Sequence, residues 1–118
     1  DPTRGGIATA LNEISCTSDV GIRIYEEKIP LKDNVAGICE LLGLDPIYIP
    51  NEGKLLAFVE PDHAEAVLKV IKEDDFGKDA SVIGEVVSDY PGKVVMQTRI
   101  GGTRIIDMLT GDQLPRIC

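Results

Sequence analysis

Apolar residues recur along this chain with two different spacings, which predict helices and strands in alternation. Ile7, Leu11 and Ile14 lie three to four residues apart and predict one apolar face of a helix from about Gly6 to Ser18. Over residues 20–25 apolar and other residues alternate instead, and Pro30 ends that stretch. This alternation is typical of a half-buried strand.

Two further segments have helical spacing. The first runs from Lys32 to Leu42 and is followed by Gly43, a residue type that commonly ends helices. The second is amphipathic and begins at Pro61 and Asp62. The residues predicted to face the core are Val35, Ile38, Cys39 and Leu42 in the first, and Ala64, Val67, Leu68 and Ile71 in the second.

Four more strands are predicted beyond residue 50, at Lys54–Glu60, Ala80–Val87, Lys93–Arg99 and Thr103–Met108. The turn sequence DYPG at 89–92 predicts that the second and third of these form a hairpin, and Gly101-Gly102 turns the chain into the last. Three helices and about five strands predict an α+β fold. Its sheet is expected to be mixed and largely antiparallel, with the helices packed on it.

Composition narrows the class of protein. The 118 residues suit one domain, and a net charge of −8 repels phosphate backbones, which argues against nucleic acid as a partner. The longest apolar stretches are about six residues, far below the roughly 20 that a membrane helix needs. Of three cysteines, Cys16 and Cys39 fall in helical patterns and are expected in the core. This odd count argues against a disulfide framework and favours a reducing cytoplasm.

The first six residues, DPTRGG, run directly into the first predicted helix. Two glycines at a helix start let backbone N–H groups approach an anion, and the helix dipole favours phosphate there. Asp1 and Thr3 offer a metal ligand and a hydroxyl, and Arg4 can bind phosphate oxygens with its forked guanidinium. The alternative is a capped helix N-terminus with no ligand, which the residues alone favour.

Two other loop or helix-end residues carry candidate chemistry. Glu52 stands in the loop sequence PNEGK just before a predicted strand, where a carboxylate can serve as a general base. A solvated turn residue is the simpler interpretation. His63, the only histidine, is predicted to be a solvated surface residue in the first turn of a helix.

The chain ends in the sequence GDQLPRIC, which places a thiol on its last residue, Cys118. Eight extended residues reach at most roughly 26 Å. The adjacent terminal carboxylate disfavours the thiolate, so a thiol that accepts a transferred group fits better than an unassisted nucleophile. An incidental terminal cysteine is the alternative that stays open.

Four segments resemble the C-terminal domain of the HypE family of hydrogenase maturation proteins, in the AIR synthase-related (PurM-like) superfamily. They are DPTRGG running into ATALNEI, then IRIYEEKIP, NEGK and GDQLPRIC. The resemblance implies a domain at residues 1–110 and a mobile tail at 111–118 that carries the terminal cysteine. Because the chain opens on Asp1 directly in a motif, an N-terminal ATP-binding domain is expected upstream of it.

The resemblance also implies a reaction. A carbamoyltransferase, HypF, loads a carbamoyl group onto Cys118; dehydration with ATP and Mg²⁺ gives a thiocyanate, and the cyanide passes to a HypC–HypD complex. Glu52 is then the general base. The phosphate side of the ATP site is assigned to Asp1, Thr3, Arg4, Gly5 and Gly6, with Asp1 a metal ligand only through Mg-ATP.

The resemblance further implies that the isolated domain is inactive, because most of the ATP site lies in the other domain. Two alternatives remain. The chain could be the C-terminal domain of another ATP-dependent enzyme of the superfamily, such as a purine-synthesis cyclo-ligase or a selenophosphate synthetase, although neither needs a terminal cysteine. It could also be a stand-alone α+β interaction or ligand-binding module.

Overall fold

A computed structural model describes residues 4–50 and 53–108. Three α-helices alternate with four strands in this part of the chain. The helices are α1 (Gly6–Ser18), α2 (Asp33–Leu42) and α3 (Ala64–Glu73). The strands are β1 (Gly21–Tyr25), β2 (Gly84–Val87), β3 (Val94–Gln97) and β4 (Thr103–Ile106). Short 3₁₀ turns occupy Glu26–Lys28, Pro46–Tyr48, Pro61–His63 and Asp75–Gly77.

The strands form one mixed sheet in the order β2-β1-β3-β4. β1 pairs antiparallel with β2 and parallel with β3, and β3 pairs antiparallel with β4. Residues Ile22, Val94 and Ile106 lie side by side across the three strands β1, β3 and β4. The predicted α+β class, with a mixed and largely antiparallel sheet, is confirmed.

The predicted hairpin across the DYPG turn is wrong. β2 and β3 follow one another in sequence, but β1 lies between them in the sheet. The turn instead crosses the end of β1, where Gly92 N–H donates to Val20 O at 3.0 Å and Ile22 N–H donates to Lys93 O at 3.0 Å. β1 is the strand with most buried positions, so it takes the centre and separates its sequence neighbours.

The predicted strand Lys54–Glu60 is also wrong. Residues 54–60 pair with no strand in the part of the chain that the structure describes. Leu56 packs partly against the core, whereas Leu55 is 82% exposed. Short apolar stretches resemble strands in sequence, but a strand forms only where a ladder partner lies alongside. The described sheet therefore has four strands rather than five.

The core lies between α1 and one face of the sheet. Ala8 and Leu11 of α1 pack against the inward row of the sheet and against Ile47 of the Pro46–Tyr48 turn. The sheet residues of that cluster are Ile22, Ile24, Val94, Met96 and Ile106. The matching spacing of α1 and alternation of β1 make this the part of the fold that the apolar pattern predicts best.

The other two helices are less buried than their sequences predict. The α2 face is mostly exposed, with Ile38 at 56% and Leu42 at 64%, and Cys39 is its buried residue. The α3 positions predicted to face the core are only half-buried. Cys16 is exposed, against prediction: it follows the last buried position of α1, and its sulfur lies 3.6 Å from the carbonyl oxygen of Gly92. No helix in the described ranges is both long and apolar enough to cross a membrane.

Candidate functional site

The structure describes three of the predicted site residues: Arg4, Gly5 and Gly6. The general base Glu52 and the carrier Cys118 lie outside the described residues, as do Asp1 and Thr3. Their assigned roles therefore stay predictions. What the structure does give is the arrangement of the segments that lead into them.

The two glycines place the start of α1 against the backbone that precedes Glu52. Both have left-handed backbone, with φ of 64° at Gly5 and 66° at Gly6. A Cβ on Gly6 would lie 2.5 Å from the carbonyl oxygen of Ile47 and 2.6 Å from that of Ile49. Only glycine allows this close approach, so Gly6 and the segment entering the loop of Glu52 are neighbours.

The N-terminus of α1 fits an anion. Among the described residues no side chain caps it, and its N-cap is Gly5 itself. The hydroxyl oxygen of Thr9 is buried there without a described hydrogen-bond partner, and a Cβ on Gly5 would lie 2.0 Å from it. Arg4 is exposed beside this turn. The N–H groups of a first helical turn, the helix dipole and a guanidinium are groups that suit phosphate oxygens.

The Pro46–Tyr48 turn is fixed by the residues around it. The Asp45 carboxylate accepts a hydrogen bond from Ile47 N–H at 3.3 Å, and Pro46 begins the turn. The same carboxylate forms an ion pair with Arg104 of β4. Contacts with α1 hold its other side. The turn is thus held by α1, near the start of the described chain, and by β4, near its end.

Tyr48 and Asn12 fix the chain just after β4. The Tyr48 hydroxyl donates to the carbonyl oxygen of Asp107 at 2.7 Å. Burial raises the pKa of Tyr48 above its usual value, which keeps this hydroxyl protonated. Asn12 is buried and its amide donates to the carbonyl oxygen of Ile106 at 2.9 Å. The chain that continues to Cys118 therefore starts beside the same turn.

The structure thus brings three segments around one turn: the glycines of α1, the entry to the Glu52 loop and the chain just after β4. Sequence reasoning missed Tyr48, Asp45 and Asn12. Asp45 and Tyr48 stand in the sequence LDPIYIP, whose Asp-Pro pair signals a turn, but nothing in it indicates what the tyrosine contacts.

Other candidate groups lie elsewhere. His63 is exposed, as predicted, with its ring nitrogen 3.8 Å from the Glu60 carboxylate. Within residues 4–50 and 53–108, no group of three or more His, Cys, Asp or Glu side chains is placed to hold a metal ion. A polar cluster on the opposite face of the sheet joins Arg23 to Glu85 at 3.1 Å and Tyr25 to the same carboxylate at 3.1 Å.

Comparison with known proteins gives consistent findings. The family model of the AIR synthase related protein, C-terminal domain, matches residues 1–97. A carbamoyl dehydratase HypE from Rhizobium leguminosarum bv. viciae is 57% identical over all 118 residues, which cover 34% of that protein. The chain thus spans about a third of the length of the curated relatives it matches.

Solved structures agree with these relatives. A crystal structure of the hydrogenase maturation protein HypE in complex with ATP is 45% identical, with a TM-score of 0.92 over 100% of this chain and 36% of that one. A structure of a HypE–HypF complex is 48% identical, with a TM-score of 0.87 over 92% of this chain and 35% of that one.

Proposed function

This chain belongs to the family of AIR synthase related C-terminal domains, and from that premise we propose that it is the C-terminal domain of a carbamoyl dehydratase that matures nickel–iron hydrogenases. The domain spans residues 1–110, and residues 111–118 form a tail that presents Cys118 to other proteins and to the active site. An N-terminal ATP-binding domain completes the enzyme. Relatives of the same name match along the whole chain, and this chain covers about a third of them.

One observation carries the proposal: three segments with complementary chemistry meet at the Pro46–Tyr48 turn. The N-terminus of α1 suits phosphate, Glu52 follows the turn by four residues, and the chain toward Cys118 leaves from beside Tyr48. A phosphate site, a base and a tethered thiol are the groups that an ATP-driven dehydration of a thiol-bound carboxamide needs.

The reaction balances as follows. A carbamoyl group on the Cys118 sulfur gives the thiocarbamate S–C(=O)–NH₂. ATP transfers its γ-phosphoryl group to the carboxamide oxygen as the nitrogen loses one proton. Loss of the second N–H proton then expels phosphate, breaks the C–O bond and leaves S–C≡N. The products are the thiocyanate, ADP, phosphate and one proton.

Each candidate residue has a defined role in this scheme. Glu52 removes protons from the nitrogen, and Cys118 holds the carbon throughout. Arg4 and the backbone N–H groups after Gly5 and Gly6 bind phosphate oxygens. Thr3 adds a hydroxyl on the same side, and Asp1 would be a ligand for the Mg²⁺ that accompanies ATP.

The reaction needs protein partners on either side of it. A carbamoyltransferase of the HypF type loads Cys118, in keeping with the HypE–HypF complex among the solved relatives. A HypC–HypD complex receives the cyanide ligand, and the protein works in the cytoplasm. ATP is the energy source, in keeping with the relative solved in complex with ATP.

The test uses the full-length protein with Glu52→Gln. We expect carbamoylation of Cys118 to proceed while conversion to the thiocyanate falls below detection, because the amide cannot take the proton. Mass spectrometry of the C-terminal peptide separates the two adducts. Glu60→Gln is the matched control, since the Glu60 side chain is 83% exposed. Thiocyanate on the Glu52→Gln protein would show that another group is the base.

A further inference from the structure

We propose that the exposed apolar side of α2 is the surface against which the N-terminal ATP-binding domain of the same polypeptide packs. This inference rests on the proposed function, which supplies that domain. We call the region the α2 surface, and its residues are Val35, Ile38, Leu41 and Leu42.

The apolar side of α2 is wider than the part that the described chain covers. Side chains on a helix follow one another at about 100° per residue, so four apolar positions occupy an arc of roughly 160°. In order around the helix these positions are Cys39, Val35, Ile38 and Leu41. Their exposed fractions increase along the arc, with values of 4%, 39%, 56% and 84%. Isolated exposed apolar residues are ordinary, but a continuous row of them marks an interaction surface.

The core of the described chain leaves this side of α2 uncovered. That core lies between α1 and the sheet, and none of the described apolar residues in it or packed against it belongs to α2. Cys39 is the buried residue of α2, at one edge of the apolar arc. The rest of the arc therefore faces away from the residues that the structure describes.

A permanent neighbour accounts for this surface better than a transient partner does. α2 has ten residues, and Gly37 lies near its middle. Helices this short are marginal in water without tertiary packing, and an interior glycine costs about 1 kcal/mol relative to alanine. A partner that binds and leaves would take that packing away between encounters. The remainder of the polypeptide is always present, and this chain covers only 34% of the relatives that it matches.

The α2 surface also lies close to the candidate site. Leu42 ends α2, and four residues later Pro46 begins the turn that packs against α1. Four residues span at most about 14 Å, whereas a small domain is about 30 Å across. The proposed nucleotide site requires the N-terminal domain at the start of α1. A domain in that position can therefore contact the α2 surface as well.

The first test places a photo-cross-linking side chain at the edge of the α2 surface in the full-length protein. Leu41→p-benzoylphenylalanine uses a position that is 84% exposed, and Ile100→p-benzoylphenylalanine, at 96% in the turn between β3 and β4, is the control. Subunits are exchanged with isotope-labelled protein before irradiation. We expect the probe at position 41 to cross-link to a peptide that precedes residue 1 in the same molecule, and the control to give much less of that product. Cross-links to a labelled second copy, or none above the control, overturn the inference.

The second test compares Ile38→Lys with Ile100→Lys in the full-length protein. We expect Ile38→Lys to raise the KM for ATP about tenfold, because a charge in an apolar interface lowers the docked fraction and the apparent affinity falls with that fraction. Loading of Cys118 by the carbamoyltransferase should stay at the wild-type rate, and Ile100→Lys should change neither quantity. The cross-link leaves the centre of the surface unchanged, so it decides the inference even if Ile38→Lys does not fold.

The other outcomes of this comparison separate the alternatives. A lower melting temperature of Ile38→Lys with an unchanged KM for ATP indicates a purely structural role and overturns the inference. Slower loading with an unchanged KM for ATP assigns the surface to the carbamoyltransferase and also overturns it. If the wild-type protein forms no thiocyanate, the proposed function is rejected, whereas the cross-link at position 41 still decides what covers α2.

Discussion

Gly6 decides how the glycine motif at the start of α1 meets the rest of the candidate site. Its φ of 66° lies in the left-handed region, and its Cα faces the carbonyl oxygens of Ile47 and Ile49. Any side chain there meets backbone atoms that cannot rotate away. The sequence GG at a helix start signals conformational freedom, but only the tertiary structure shows that the second glycine is needed for a close approach.

Gly6→Ala should lower the free energy of unfolding by about 1–3 kcal/mol, from backbone strain and the clash with Ile47 O. Gly37→Ala is the matched control. Gly37 lies inside α2, and outside its own helix backbone no atom lies within 4 Å of the position that a Cβ would take, so alanine should raise stability there by about 0.5–1 kcal/mol. Urea denaturation of both variants checks the two signs. A loss of stability in both would contradict the steric argument.

Tyr48 gives a prediction about pH. Burial raises the pKa of its hydroxyl above the usual value near 10, so the folded protein holds this proton more tightly than the unfolded chain. The stabilisation is complete below about pH 10 and is lost as pH rises through the folded pKa. Denaturation between about pH 8 and 11 should show a steeper alkaline decline for wild type than for Tyr48→Phe. Parallel curves would show that the hydroxyl titrates alike in both states.

At the scale of elements, α1 and β1 behave as their patterns predict, whereas α2 and α3 do not. The apolar face of α1 meets a sheet face of matching spacing, and Ile22 and Ile24 of β1 are buried. The apolar face of α2 has the same periodicity, yet Ile38 is 56% exposed. Periodicity tells which side of a helix is apolar; it does not tell whether the described chain covers that side.

The contrast between these elements is measurable. Ile24→Ala should cost about 2–5 kcal/mol, because it leaves a cavity in the core where Ile24 is 1% exposed. Ile38→Ala, the same change on α2, should stay within about 0.5 kcal/mol. Thermal and urea denaturation of the two variants provide the comparison. Similar losses in both would mean that α2 contributes to the core in solution.

Strand pairing was predicted less well than strand position. Three of the later strands were predicted near their observed places, and β3 and β4 form the expected antiparallel pair. The β2–β3 hairpin was wrong because β1 inserts between the two strands. A turn sequence such as DYPG describes a local reversal of the chain. Which strands pair depends on which strand is buried at the centre of the sheet, and that depends on all the strands together.

At the scale of the molecule, the chain corresponds to about a third of its relatives. We predict that residues 1–118 alone neither hydrolyse ATP nor form thiocyanate, because the proposed function assigns most of the nucleotide site to an N-terminal domain. Incubating the carbamoylated chain with Mg-ATP, followed by mass spectrometry and a phosphate-release assay, checks this. Full-length protein assayed in parallel is the positive control. Thiocyanate formed by the short chain would show that the N-terminal domain is not needed for the reaction.

The sequence by itself determined the α+β class, the α1–β1 core and the family, because apolar periodicity and short motifs are local and are written in consecutive residues. Only the tertiary structure decided the strand order, the incomplete burial of the apolar faces of α2 and α3, and the meeting of Gly6, Tyr48 and Asp107 around one turn. These features join residues as far apart as 6 and 107. Such contacts depend on packing that no local pattern records, and for that reason the glycine motif was predicted from sequence while its neighbour Tyr48 was not.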